Sequence, residues 1–500
     1  MEHEHGTNHG STGVKAEGLV TVDRSSFDAS DVVEELWTGL GLPSEALSRL
    51  RLDGNSEPAL PSSFRIGVLA QSSIALSALA AAQFHALRNE VEVPQVEVPL
   101  QHVVIEFKSE RFYTIDKQPQ SAPPNPIGGL HQAADGYIRV HDSFPNHSNG
   151  MLELVGLPLG STREQLANEI VKWRSVELED TATVKGNLAA YALRSYSEWD
   201  ALPQSKAIAD FPISLQPISS HGSKGFSERF PRRSTKCLEG LRVLEMSRVI
   251  AAPLCGKTLA AHGADVIWVT SPNLPDLPSI DREFSRGKRT IQLDIHDPIQ
   301  KAKLLELIED CDVFIQGFRP GSLAKYGLSS EELVITNPDI VIANMSAFGP
   351  AGPWSGQRGF DSLVQTCSGM NVSEAEHAKQ GEPARPLPCQ ALDHASGYLL
   401  ATGVIAALYH RAVQGGAWQV DVSLAGTMKY LRSLGQYPGT SGFQCKDYKQ
   451  QADLSAEFLE IRETGFGTMT AVKHGAKISG CDVGWDIMPK PLGSDSAEWL

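Results

Sequence analysis

From Leu238 onward the chain repeats a single pattern: a short apolar run, a helical stretch, then another apolar run. LRVLEM reads as a buried strand, Ala251 to His262 as a helix closed by Gly263, and ADVIWV as the next strand. RTIQLDI is strand-like, and Asp297-Pro298 supplies an N-cap and a first helical position. That helix runs through Leu307 and ends before the strand CDVFIQGF; a helical region from Ser322 to Leu333 then precedes DIVIANMSAF. Alternation of this kind argues for an α/β fold, a parallel sheet wound with helices. No G-x-G-x-x-G follows the first strand, so the standard dinucleotide fingerprint is missing.

The stretch before Leu238 is organised differently. Residues 1–30 are expected to form a flexible tail, and the tail reading takes in His3, His5 and His9, which have no partner ligands at metal-site spacing. Residues 31–211 read as a helical and small α+β domain. It contains a short helix at Val32–Thr38, a long Ala-rich helix from Ile66 to Arg88, and an alternating strand in PQVEVPLQHVVIEF. A strand at Gly136–His141 follows, with helices near Arg163–Trp173 and Ser197–Ala201. The Ser-, Pro- and base-rich stretch 212–236 reads as a linker, 237–430 as the wound-sheet domain, and 431–500 as a C-terminal extension.

Composition narrows the function. The net charge of −15 argues against a general nucleic-acid role, while leaving room for a local basic pocket. No apolar run approaches the length of a membrane span, and the polar N-terminus lacks a signal core, so a cytoplasmic protein with no membrane partner is expected. The seven cysteines contain no C-x-x-C pair; Cys255, Cys311, Cys367 and Cys389 sit in apolar stretches and read as buried reduced thiols. No metal site is expected.

One residue carries the chemical question. In LPCQALDHASGYLLATGVIAALYHR, Asp393 stands at the start of a helix whose Leu400, Val404, Ala407 and Leu408 share a face. Gly397 and Gly403 permit close approach by another backbone. A helix N-terminus favours the charged carboxylate, which can attack a thioester carbonyl, and the free amides there can steady the oxyanion. Taken alone, an Asp at this place is more often a simple N-cap. There is also an internal echo. AALYHRAVQGGAWQVDVSL resembles AQFHALRNEVEVPQVEVPL of the first half, and alignment on the two strands sets Leu69 opposite Asp393, so the first copy lacks the acid.

From Leu238 to about Leu424 the chain resembles the class III CoA-transferase family, which includes formyl-CoA, carnitine-CoA and bile-acid-CoA transferases and the α-methylacyl-CoA racemases. The pieces come in order: LEGLRVLEMSRVIAAPLCGKTLAAHGADVIWV, RGKRTIQLDIHDP, DVFIQGFRPGSLAKYGL, NPDIVIANMSAFGPAGPWSGQRGFD and DHASGYLLATGVIAALYHR with QVDVSL. The stretches DGYIRVHDSFPNHSNGMLELVG and LRSYSEWDALPQSKAI are similar to the family's small domain, which here precedes the sheet domain instead of following it. The resemblance implies a Rossmann-like parallel-sheet domain plus a smaller α+β domain, in rearranged or duplicated order. It places Asp393 on the family's nucleophilic aspartate and implies a ping-pong reaction through a mixed anhydride and an aspartyl-CoA thioester. The substrates implied are an acyl-CoA and a free carboxylic acid, with coenzyme A as substrate and no prosthetic group. Family members form interlocked dimers, so a homodimer is one expectation; the altered order lets a single chain supply both parts.

Arg286, Lys288, Arg289, Arg319 and Lys325 are charged residues at turns suited to CoA phosphates, although a solvated basic face is the plainer reading of such a cluster. The resemblance adds Phe318, Ser322 and Tyr326 as CoA contacts, and Arg248, Val249 and Ala251 on the segment lining the CoA site. Ile250 and Ala252 depart from the family's common Gln and Gly. The racemase branch needs a His in its G-H-D motif, and RGFDSL has Phe360 there; a phenyl ring carries no proton. Asp361 reads as a cap. CoA transfer is therefore expected over the alternatives, a 2-methylacyl-CoA racemase or a non-catalytic CoA-ester-binding scaffold.

Overall fold

The computed structural model describes residues 22–54, 58–122, 125–220, 222–227 and 229–500. Most of the expected tail, with its three histidines, lies outside these residues. Its last part does not behave as a tail: a helix spans Ala29–Gly39, capped by Asp28, and Arg24 is buried against Glu35 at 2.7 Å.

In the first half, strands β1 (Leu50–Asp53) and β2 (Val96–Pro99) pair in parallel, joined by the crossover helix α1 (Ile66–Asn89). Residues on every face of α1 are buried, from Ile66 and Val68 to Ala82 and Phe84. A helix apolar all round belongs inside a core. The alternating stretch that opens at Pro94 does not continue as one strand to Phe107: the strand stops at Pro99, and Leu100–Glu106 is helical. The helix forms because Val103, Val104 and Phe107 serve a helical face as well as they serve an alternating one, and all three are buried. A small antiparallel sheet of Gly129–Gln132, Tyr137–Val140 and Ala190–Ala192 follows.

The stretch expected as a linker contributes a strand, β3 (Ile213–Pro217). The main sheet then builds from β4 (Arg242–Met246), helix α2 (Ala251–Ala261), β5 (Asp265–Thr270), β6 (Lys288–Gln292), β7 (Val313–Gln316) and β8 (Val341–Ser346). Three helices, α3 (Asp361–Cys367), one at Met370–Ala378 and α4 (Ala391–Gln414), precede its last parallel strand, β9 (Trp418–Ser423). The strand order is β6-β5-β4-β7-β8-β9-β3, parallel throughout except for β3, which runs antiparallel to β9. Val243, Leu244, Val266, Ile267, Phe314 and Ile315 are buried, as strands covered by helices on both faces require. The helical region expected at Ser322–Leu333 is instead a 3-10 turn at Ala324–Tyr326 and a helix at Ser330–Thr336, separated by Gly327 at φ +75°.

Helix α4 packs against α1, α2 and β9. Gly397 makes this possible, since a Cβ there would lie 2.7 Å from the Ala251 carbonyl oxygen. Both α1 and α4 are long and apolar enough to cross a membrane, which corrects the sequence reading; 100% and 94% of their most apolar windows are buried inside the fold. The C-terminal segment ties the halves together. Its hairpin, β10 (Leu459–Thr464) and β11 (Gly467–Val472), extends the strand Thr114–Ile115, and β12 (Lys477–Ile478) pairs with β2. Its last residues return to the main sheet, where Asp495 accepts from the Thr290 amide at 2.8 Å.

Candidate active site

The strand order reverses between β4 and β7, the place where wound sheets open a crevice at their C-terminal strand ends. Two adjoining cavities occupy it, of about 550 Å³ and about 480 Å³. Phe144, Arg248, Val249, Phe318, Arg319 and Ser322 line both, so the two form one cleft. Val249 sits at φ +62°, a left-handed conformation costly for a β-branched residue. This strained turn carries the chain from β4 into α2 and places Arg248 at the cleft, its guanidinium 4.2 Å from the centre of the Phe144 ring.

Asp393 lines the first cavity and is the one acidic residue among the described residues that do so; Arg248, Arg319 and Arg358 line it as well. It is the third residue of α4, and the N-cap position is held by Gln390. The cap comes from elsewhere in the chain. Asp361 Oδ2 accepts from the amides of Leu392 at 2.9 Å and Asp393 at 3.1 Å. These two amides, expected to serve an oxyanion, are thus already occupied. Asp361 behaves as the cap the sequence suggested, but for a helix about thirty residues downstream rather than its own.

The electrostatics also differ from expectation. Burial pushes the Asp393 carboxyl well above its usual range, and the neighbouring charges of Asp361 and Glu110 push it the same way. These outweigh the helix N-terminus, whose nearest amides are already spent on Asp361. Burial likewise raises Asp361, to about 6, against the lowering effect of the amides it accepts from. His394 turns away from the cavity: its Nε2 lies 3.0 Å from Glu110 of the first half.

The family model for CoA-transferase family III matches residues 238–461. This part of the chain is a class III CoA-transferase domain. An acetyl-coenzyme A transferase from Hypoxylon pulicicidum is 24% identical over 79% of this chain and 73% of its own length. A "Probable fatty acyl-CoA transferase" from Mycobacterium tuberculosis is 35% identical, over 38% of this chain and 50% of that protein. A formyl-CoA:oxalate CoA-transferase from Rhodopseudomonas palustris is 34% identical, over 38% of this chain and 47% of that protein. The chain thus spans about half the length of the last two. A crystal structure of the mycobacterial protein covers 40% of this chain and 58% of that one, with 32% identity and a TM-score of 0.36.

Within the class III domain, the expected CoA-site residues divide. Arg248, Val249, Ala251, Phe318, Arg319 and Ser322 line the first cavity, and Lys325 and Tyr326 line the second. Ser322 Oγ is buried with no hydrogen-bond partner among the described residues. Tyr326 is held in place by His296, whose Nε2 is 3.0 Å from its hydroxyl. Arg286, Lys288 and Arg289 are not at the cleft. Arg286 is buried between Glu283 and Glu460, Lys288 lies 2.8 Å from buried Glu245, and Arg289 lies 2.7 Å from Asp265. Each already has a carboxylate partner, so none is positioned to meet a phosphate.

Sequence reasoning missed the wall supplied by the first half. Phe144, Asn146 and His147 line the first cavity, on the stretch that follows the strand Tyr137–Val140. Phe360 stacks on His141 at 3.7 Å, and His147 meets its edge. Burial, with Arg358 and Arg248 adding to it, pushes the His147 imidazole down to about 4, so it is neutral at physiological pH. The crowding of two histidines, an asparagine and a phenylalanine in HDSFPNH was the available signal.

Proposed function

We propose that the protein is an acyl-CoA:carboxylate CoA-transferase with Asp393 as nucleophile, built on a Rossmann-like domain and acting on soluble substrates in the cytoplasm. The observation that carries this reading is that Asp393 is the one carboxylate among the described residues lining the first cavity, where Arg248, Arg319 and Arg358 stand beside apolar and neutral polar side chains. Arg248, Arg319 and Lys325 offer charge to the CoA phosphates, and Phe318, Ser322 and Tyr326 flank the rest of the CoA ester. The ionised Asp393 attacks the donor thioester carbonyl, forming a mixed anhydride and releasing CoA thiolate. The thiolate attacks the aspartyl carbonyl of the anhydride, giving the aspartyl thioester and the donor's free acid. The acceptor carboxylate reverses both steps and restores Asp393.

The first turn of α2 also lines the cavity through Ala251 and Ala252. First-turn amides lack intrahelical acceptors, which makes this turn the source of oxyanion donors in place of the α4 amides. The steps call on no metal or prosthetic group. Because α1 and α4 pack together within one chain, a single chain supplies both halves around the site.

A second reading, epimerisation of a 2-methylacyl-CoA, is favoured by one observation: neutral His147 lines the cavity that Asp393 lines, beside the phenyl ring of Phe360. One experiment separates the two. The protein is incubated with a panel of acyl-CoAs and free acids in D₂O and read by mass spectrometry, with hydroxylamine trapping. Transfer predicts new CoA esters and a hydroxamate at Asp393, both lost in Asp393→Asn while the fold is kept. Deuterium at the α-carbon without any trapped adduct would establish epimerisation instead.

A further inference from the structure

Away from the cleft, three side chains from distant parts of the sequence converge. His85 lies near the end of α1, Cys237 precedes β4, and Cys481 follows β12; their ligating atoms all lie within 4.8 Å of one another. All seven cysteines are free. Cys237 is buried, whereas Cys481 is partly exposed and lines a third cavity, of about 620 Å³, with Lys473, Lys477 and Trp485.

The hydrogen bonds around His85 decide what the cluster is for. Asn89 Oδ1 accepts from the Arg233 amide at 3.0 Å, which fixes the orientation of the Asn89 amide. Asn89 Nδ2 therefore donates to His85 Nδ1 at 3.2 Å and to the His85 carbonyl at 2.9 Å. An Nδ1 that accepts leaves the proton of the neutral ring on Nε2. His85 then serves as a donor toward sulfur, and a ring nitrogen that carries a proton is no metal ligand. Arg88, tied by its guanidinium to the Glu239 carbonyl at 2.8 Å, brings a positive charge beside both sulfurs.

We propose that Cys481 and Cys237 form a dithiol that peroxides convert to a disulfide, with Cys481 the attacking sulfur and Cys237 the resolving one. The Cys481 thiolate attacks one oxygen of the peroxide, the O–O bond breaks, and Cys481 becomes a sulfenic acid as hydroxide leaves and takes up a proton. The Cys237 sulfur then attacks the Cys481 sulfur, and hydroxide leaves with the Cys237 proton as water. The balance is two thiols and one hydrogen peroxide giving one disulfide and two waters. The roles follow from the setting. Cys481 is partly exposed and open to the third cavity while Cys237 is buried behind it. Hydrogen bonding from Cys237 lowers the Cys481 thiol against the opposing effect of its burial, with His85 and Arg88 adding to the lowering, while donating that bond and being buried keep Cys237 protonated. The product would fasten the C-terminal segment to the chain entering β4.

The full-length protein is treated with hydrogen peroxide and read by intact mass and non-reducing peptide mapping. The expected result is a loss of two mass units with a Cys237–Cys481 cross-link, reversed by dithiothreitol. In Cys237→Ser the sulfenic acid has no resolving thiol, so dimedone should label Cys481; in Cys481→Ser neither product should form. At pH 6.5, iodoacetamide should label Cys481 at least tenfold faster than partly exposed Cys445. Equal labelling of Cys445, a cross-link elsewhere, or one equivalent of tightly held zinc shielding both thiols would overturn the proposal. If Cys237→Ser fails to fold, the cross-link map and labelling rates of the unmodified chain still decide it.

Discussion

Asp361 and Asp393 act as one unit. Asp361 fixes the first turn of α4 by accepting from the Asp393 amide, and burial, reinforced by the Asp361 charge, holds the Asp393 proton on. A carboxyl raised in this way must lose its proton before it can attack, so transfer should fall on the acid side of the pair's apparent pKa. Asp361→Asn keeps an acceptor oxygen for the α4 amides but removes the charge. Asp393 then ionises at lower pH, and the acid limb of kcat/KM should move to lower pH, with little loss of stability because Asn caps a helix about as well as Asp. A limb that stays in place or moves to higher pH would show that Asp361 does not set the ionisation of Asp393. The sequence carried the position of Asp393 but not its protonation, because both the burial that raises it and the acid that adds to this, 32 residues away, arise only through the fold. The same blindness explains the misread cations. Lys288 and Arg289 look free in sequence, while their partners Glu245 and Asp265 come from other strands of the sheet, 43 and 24 residues away.

Strands buried on both faces read clearly, because a continuous apolar run of β-branched residues has few other uses: LRVLEM, ADVIWV and CDVFIQGF all became strands of the main sheet. Elements whose pattern fits two periods did not read clearly, which is why the helix Leu100–Glu106 and the strand β3 were not foreseen. The contact between α2 and α4 lies between these extremes. Gly397 signalled a close approach, and the structure supplies the partner: the Ala251 carbonyl at 2.7 Å and Leu254 Cβ at the same distance. Backbone cannot yield as a flexible side-chain tip can. Gly397→Ala should therefore force α2 and α4 apart, costing about 1–3 kcal/mol as an overpacked core does. The same displacement would shift the turn at Val249 and Arg248, so KM for acyl-CoA should rise several-fold alongside a lower Tm. A variant as stable and as active as the parent would mean that the helices have slack at this contact.

At the scale of the whole molecule, the two halves are not separable bodies. α1 of the first half lies against α4 of the second, β3 completes the main sheet, β12 pairs with β2, and Phe144 and His147 reach into the cleft. His394, next to Asp393, is bonded to Glu110 of the first half. Fully burying one large apolar side chain contributes about 1.5–3 kcal/mol. Even a few such residues of α1 set against α4 approach the ~5–15 kcal/mol that holds a typical protein folded. Residues 221–500 produced alone should therefore be insoluble or lack a cooperative thermal transition, although they hold every strand of the main sheet except β3. Co-production with residues 1–220 as a separate chain should restore a one-to-one complex that co-purifies and melts cooperatively, because the break falls in an interval with no strand or helix among the described residues. Transfer should return with the complex, since Asp393 and the wall formed by Phe144 and His147 would again face the same cavity. If residues 221–500 alone melted like the intact chain, the first half would be an attachment and not part of the core, and the site would have to work without its first-half wall.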